Sequence, residues 1–408
     1  MEYTHRYPAH PTQEVAAELE HHIDIHRQAY NYARYEYTHL DADSTGSAYK
    51  HHSRLPDWKD EFPVFTEVNA KALQRTVTRF YDNLSNLSQQ KENGNEVGKL
   101  KWKSPREFQS ITYSQHGFEL KNTSGRRATL WLSKIGDIPI RYHRPLPDEA
   151  DIKEVSIKKE TTGEWFVSFA LETDEADLPE KPDVGSLDAS NSVGIDLGIL
   201  HYIHTSDGKT VDWLDLEGEY ERLRREQRKL SRKQKGSSNY EKQRREVAKV
   251  KRHIKRKIED FQHKLTTWLV REYDAVFVED LNVRGMLEDS HNARNTQAAA
   301  WRQFITLLEY KAERYGTHVV QVEAAGTTKE CAKCGVETTK SIWVREHSCP
   351  SCGFEADRDA NAAMNVLKRG FAELGLGWPE DTPVETALPT DTHSVSAKRV
   401  VEAGSLGA

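Results

Sequence analysis

All four cysteines of this chain fall within 22 residues, as Cys331-x-x-Cys334 and Cys349-x-x-Cys352, and Asp359 follows shortly after the last of them. Two such pairs, 14 residues apart, constrain the fold because four sulfurs must converge on one point. Gly335 and Gly353 directly follow the second cysteine of each pair and permit the tight turn of a metal-binding knuckle. Four thiolates suit a tetrahedral Zn²⁺, and a site with every position filled is structural. The N-terminus has no apolar signal core and the chain has no run of 18 apolar residues, so an intracellular, non-membrane protein is expected. Disulfides are rare in that compartment, which favours metal over a redox dithiol. His347, beside the second pair, is expected at the surface.

Three carboxylates stand where lone acids are costly. Asp196 interrupts an apolar strand, "VGIDLGI". Glu279 closes another, "AVFVE". Asp359 opens a helix after the cysteines, in "DRDANAAMN". A buried, uncompensated carboxylate costs several kcal/mol. If the strands carrying Asp196 and Glu279 are neighbours and the helix crosses them, the three acids meet. Their repulsion then calls for cations, and hard oxygen ligands suit Mg²⁺ or Mn²⁺. Two such ions about 4 Å apart activate a water and stabilise a leaving oxygen in phosphodiester cleavage. Taken singly, each acid is more often a turn or cap residue than a functional one, and spacing alone leaves Asp357 and Asp359 as alternatives.

The pattern along the chain predicts an α+β, mixed architecture. A short strand and a helix occupy residues 1–45, with a further helix at about 66–92. Short strands follow, and "IKEVSIKKETTGEWFVSFALET" reads as a hairpin. An acidic, proline-containing stretch at 174–191 marks a boundary, giving domains at 1–180 and 181–370. From residue 193 the order is three antiparallel strands, helix, strand, helix, strand, helix: one mixed sheet with helices packed on it. The long helical stretch at 216–272 should break at Gly236-Ser-Ser, and another helix should run from 296 to Gly316. The cysteine module, 327–356, is an insertion before the last helix. The tail, 371–408, carries six acids against two bases and is expected to be poorly ordered.

Net charge is −6, yet residues 221–257 hold 17 Lys/Arg against four Glu, which leaves −19 for the remainder. So polarised a molecule suggests a basic arm for nucleic-acid phosphates on an acidic body. The acidic remainder would also suit a high-salt cytoplasm.

Together, "VGIDLGI", "VFVEDLNVRGM", the paired Cys-x-x-Cys and "DRDANAAMN" resemble the TnpB (OrfB) proteins of insertion sequences, relatives of type V CRISPR effectors. The resemblance covers roughly residues 1–370. It implies an N-terminal β-barrel-like wedge with a helical recognition insert, then an RNase H-like (RuvC) nuclease domain with an inserted zinc ribbon. It further implies Asp196, Glu279 and Asp359, rather than Asp357, as the catalytic carboxylates, a guide RNA made from the transposon end, and double-stranded target DNA as substrate. The implied activity is RNA-guided DNA cleavage. A transposase that joins DNA strands and a catalytically silent RNA-guided regulator are the alternatives. Thr327-Thr328 departs from the family's commoner Thr-Ser before the first cysteine.

Overall fold

Trp165, Val167, Phe169 and Leu171 alternate along one strand and turn the same side into the core of the first sheet. The computed structural model describes residues 1–114, 116–198, 200–280, 301–339, 341, 344–377 and 394–395. The chain divides into two units, Met1–Asp177 and Leu178–Ala408.

In the first unit, β1 (Glu2–Ala9), β2 (Ser110–Ser114), β3 (Phe118–Ser124), β4 (Arg127–Leu132), β5 (Gly136–Arg141), β6 (Asp151–Lys159) and β7 (Trp165–Glu172) form one antiparallel sheet. Its order is β2-β6-β7-β1-β5-β4-β3. The expected hairpin is β6–β7, and Gly163 in its turn takes φ 90°. β1 pairs with β7 along its whole length, from Glu2 opposite Glu172 to Ala9 opposite Trp165. Helices α1 (Gln13–His39) and α5 (Ala70–Glu92) supply Leu19, Ile23, Tyr30, Leu73, Val77 and Phe80 to the same core. Their N-termini are capped by Thr12 and Asn69, whose side chains accept from Val15 N and Ala72 N.

Three short helices lie between them: α2 (Ala42–Thr45), α3 (Ala48–His52) and α4 (Leu55–Glu61). Buried Glu36 ties α3 and α4 to α1. It accepts from Arg54 at 2.7 and 2.9 Å and from Trp58 Nε1 at 2.9 Å, and lies 3.0 Å from His51 Nε2.

In the second unit, β8 (Ser192–Asp196), β9 (Ile203–Thr205) and β10 (Thr210–Val211) are the three expected antiparallel strands. α6 (Glu217–Ser231) and α7 (Ser238–Glu272) follow, separated at Gly236, whose φ is 87°. β11 (Ala275–Asp280) lies parallel to β8, and β12 (His318–Glu323) parallel to β11. α8 (Trp301–Tyr315) runs between those two strands in sequence and ends at Gly316 (φ 69°); the first residues expected of it, 296–300, lie outside the described residues. Beyond the cysteines, β13 (Glu346–Ser348) and β14 (Glu355–Asp357) pair, and α9 (Arg358–Glu373) closes the unit.

The sheet runs β12-β11-β8-β9-β10, with β15 (Ser394–Val395) beside β10. Val193, Ile195, Val276 and Val278 point to α7 and α8, meeting Phe261, Leu265, Phe304 and Leu308. Ala275 and Phe277 point the other way, to Val366, Leu367 and Phe371 of α9. The tail expected to lack order contributes the end of α9 and β15; its other residues from 378 on lie outside the described residues. Among the described residues no helix is long and apolar enough to cross a membrane.

Candidate active site and metal centre

Strand alternation determines which side chains face α9. On β8 they are Gly194 and Asp196; on β11 they are Phe277 and Glu279. Phe277 lies opposite Gly194 in the parallel register, so Asp196 and Glu279 sit side by side one step further along. Two glycines let the helix descend onto them. A Cβ on Gly194 would stand 2.2 Å from the Ala363 carbonyl oxygen, and one on Gly370 would stand 2.1 Å from the Phe277 ring. Only bare backbone permits that approach. It brings the first turn of α9, with Asp359, over Asp196.

The two aspartates that sequence spacing left open have different surroundings. Asp357 is the N-cap of α9, its Oδ1 accepting from Asp359 N at 2.8 Å and Ala360 N at 3.3 Å. Asp359 is buried within the turn. Asp196, Glu279 and Asp359 are each 5% exposed. Oδ2 of Asp196 and Oδ2 of Asp359 lie 3.6 and 3.7 Å from one point, the Cβ position beside Gly198.

Burial, then the negative charges of Glu279 and Asp359, hold the Asp196 carboxyl well above the usual range. Burial pushes Glu279 up to about 7; Asp359 adds to this, while Thr327 and Arg369 oppose it. The Thr327 hydroxyl donates to Glu279 Oε1 at 2.6 Å. Arg345 pairs with Asp359 Oδ2. Crowded acids that resist ionisation make a donor set suited to hard divalent cations.

The four cysteine sulfurs lie within 4.8 Å of one another, and among the described residues this is the one Cys, His, Asp or Glu cluster already close enough to hold a single ion. The two knuckles repeat one geometry. Gly335 N donates to Cys331 O at 2.8 Å, and Gly353 N to Cys349 O at 3.0 Å, with φ of 75° and 71°. Backbone N–H groups of Cys352 and Ser351 draw the Cys349 thiol down to about 6. The donor set therefore fits a thiophilic structural metal. His347, expected at the surface, is instead buried, with its ring 6.2 Å from that of Phe354.

Sequence reasoning passed over several residues around the carboxylates. Arg345 carries no local signature, and Thr327 stands out only as part of the threonine pair before the first cysteine, because their partners are brought to them by the fold. Asn361, Asn365 and Arg369 stand four residues apart along α9 and bind the start of the cysteine segment. Asn361 Oδ1 accepts from Ala332 N at 2.9 Å, Asn365 Nδ2 donates to Thr327 O at 2.8 Å, and Arg369 pairs with Glu330 at 2.9 Å. His204 lies opposite Asp196 in the β8–β9 register, buried, its Nε2 without a hydrogen-bond partner among the described residues.

The basic arm is the antiparallel-connected pair α6 and α7. Among its residues, α6 buries none. Glu219, Glu226, Glu241 and Glu246 pair with Lys257, Lys229, Arg244 and Lys249.

Residues 179–290 match the OrfB_IS605 family, described as "Probable transposase", and residues 301–366 match the Cas12f1-like TNB domain. A Streptomyces pristinaespiralis protein provisionally named an RNA-guided DNA endonuclease is 33% identical, over 91% of this chain and 90% of its own. Escherichia coli K12 InsQ, with the same provisional name, is 25% identical over 81% of this chain and 84% of its own. The solved structure of a Cas12f1–guide RNA–target DNA complex contains a protein similar in fold, with TM-score 0.59 and 17% identity, covering 87% of this chain and 83% of that one. The mixed α/β fold is thus that of Cas12 effectors. With a one-third identical relative aligned along nine-tenths of both sequences, this chain belongs to the OrfB (TnpB) family.

Proposed function

We propose that this chain is an RNA-guided DNA endonuclease of an insertion sequence, cutting target double-stranded DNA at a RuvC-like site formed by Asp196, Glu279 and Asp359. The observation that carries this reading is the convergence of three buried carboxylates from β8, β11 and α9, two of them held above the usual carboxylate range. The names of the relatives point the same way.

In this reading Asp196, Glu279 and Asp359 offer oxygens to Mg²⁺ or Mn²⁺, which would activate a water and stabilise the leaving 3′ oxygen. Asp196 and Glu279 come from strands whose pairing fixes their separation. Thr327 orients Glu279 and stabilises its ionised form. Asp357 anchors the helix turn that presents Asp359, and Arg345 holds that carboxylate. The four cysteines hold one Zn²⁺ as a ribbon bracing the start of α9. The basic arm contacts guide RNA and target DNA through phosphates, while base pairing selects the target. The guide comes from the transposon end, and the protein acts in the cytoplasm.

The test is to express the gene with its downstream flank, sequence the co-purifying RNA, and assay cleavage of matching DNA. A discrete RNA and divalent-dependent cutting, lost in Asp196→Ala, Glu279→Ala and Asp359→Ala with DNA binding kept, would support the reading. Undiminished cutting in any of the three would sink the site assignment. A 3′ hydroxyl joined to target DNA would indicate strand transfer, and guided binding without cutting would indicate a silent regulator.

A further inference from the structure

Arg79, on α5, is a half-buried cation without an acidic partner. Its guanidinium lies over the Phe108 ring, 4.7 Å from the centroid. Nη1 donates to Ser110 Oγ at 3.1 Å and more weakly to Ser110 O at 3.4 Å. Among the described residues, no carboxylate lies within ion-pair distance of it. Arg75, one turn earlier, has two: Asp82 at 2.8 Å and Glu154 at 2.6 Å.

The electrostatic consequences are opposite. Burial disfavours the charge of both, but Asp82 and Glu154 more than restore it for Arg75. For Arg79, burial and then the nearby charge of Arg75 leave the cation disfavoured despite Tyr30. An arginine cannot shed its proton. The free protein therefore carries an electrostatic debt that an incoming anion would settle.

Both arginines face a cavity of about 290 Å³ whose opposite wall is Ser110, Thr112, Glu154 and Ser156. That is at the bottom of the range for whole small-molecule ligands. Its walls still have donors to give. Ser110 Oγ accepts from Arg79, leaving its own hydrogen free. Thr112 and Ser156 share one bond at 2.7 Å, so one of their two hydrogens is left over. Glu154 on the wall repels a dianion. The chemistry therefore suits a singly charged phosphate diester better than a terminal phosphate.

We propose that this cavity binds one backbone phosphodiester of a nucleic acid, with Arg79 as its guanidinium ligand and the hydroxyls of Ser110, Thr112 and Ser156 lining the seat. This rests on the nucleic-acid reading above and extends it to a specific site in the first unit.

The experiment compares the full-length chain with Arg79→Met. Affinities for a synthetic DNA duplex and for a structured RNA are measured separately across a range of salt. The expected result is that the slope of log K against log salt falls by about one for one probe and stays unchanged for the other, identifying whose backbone is held. The free variant should melt no lower than its parent, because it has lost an uncompensated cation. If it melts lower, Arg79→Lys decides: several-fold weaker binding at unchanged slope supports the forked contact, and unchanged affinity overturns it.

An unaltered slope with both probes in Arg79→Met also overturns the site. So does inorganic phosphate raising the melting temperature of the parent but not the variant, which would mark a small-anion site. Failure of the parent to bind either probe would sink the nucleic-acid reading itself, and this site with it.

Discussion

Arg345, from between the two cysteine pairs, is paired with the carboxylate of Asp359 at the first turn of α9. A cation belonging to the cysteine segment thus stands against one of the three acids that a divalent ion would use. Among the described residues, no such protein cation is bonded to Asp196 or Glu279.

Removing that competitor should favour the ion. In Arg345→Met, Mn²⁺ should bind the nucleic-acid-free protein about tenfold more tightly, because a charge-assisted hydrogen bond of roughly 1.5–3 kcal/mol no longer has to be given up. Calorimetric titration checks this. Equal affinity in variant and parent would mean that Arg345 and the ion do not compete.

The raised carboxyls make stability depend on pH in a definite direction. Glu279 is pushed from 4.5 up to about 7 in the folded chain. A raised folded value means that its contribution to stability is fully present below about 4.5 and is lost as pH rises through about 7. Glu279→Gln should flatten that decline and leave the metal-free protein more stable at pH 8, by up to ~3 kcal/mol. Denaturant unfolding in chelator across pH measures it. A variant less stable than its parent at pH 8 would show that the ionised carboxylate is not strained.

Gly194→Ala should disable the site without touching an acid. Its new methyl would lie 2.2 Å from the Ala363 carbonyl oxygen and 2.5 Å from Leu367 N, both backbone atoms. α9 would have to move, at a cost of about 1–3 kcal/mol, carrying Asp359 off Asp196. DNA cleavage should fall by about 100-fold or more, as small misplacements of catalytic groups do. Gly218→Ala is the control, since nothing lies within 4 Å of that Cβ. Equal activity in the two variants would contradict the proposed seating of the helix.

Cys349→Ser should empty the sulfur site and loosen the end of α9 that carries Asp359. Zinc content should drop from one per chain towards zero, and the melting temperature should fall, because metal affinity is folding energy for such a module. Stoichiometric zinc in the variant would mean that the ligand set is wrong.

Local patterns in the sequence were sufficient for the elements whose signals are local. The β6–β7 hairpin announced itself by alternation around Gly163, and the α6–α7 break by Gly236. The adjacency of β8 and β11 could be posed from the sequence only as a condition, which their parallel pairing meets. What could not be read was made by distance along the chain. Helices α3 and α4 are only five and seven residues long and depend on Glu36, which lies in α1. β1 lies against β7, more than 150 residues away, for its whole length. His347 looked like a surface residue because nothing near it predicts the Phe354 ring it packs against. Thr327 and Arg345 are ordinary residues until the fold brings Glu279 and Asp359 to them.

The close seating of α9 on β8 has a consequence in time. Asp196, Glu279 and Asp359 reach the ribosome's exit in that order, and Asp359 is carried by α9, which seats its own Gly370 on Phe277 and its Ala363 on Gly194 of an already formed sheet. A nascent chain therefore gains its second acid only at residue 279 and lacks the third until the cysteine segment has also emerged. The completed trio is a late product of translation, so a truncated polypeptide released early would lack the site proposed above.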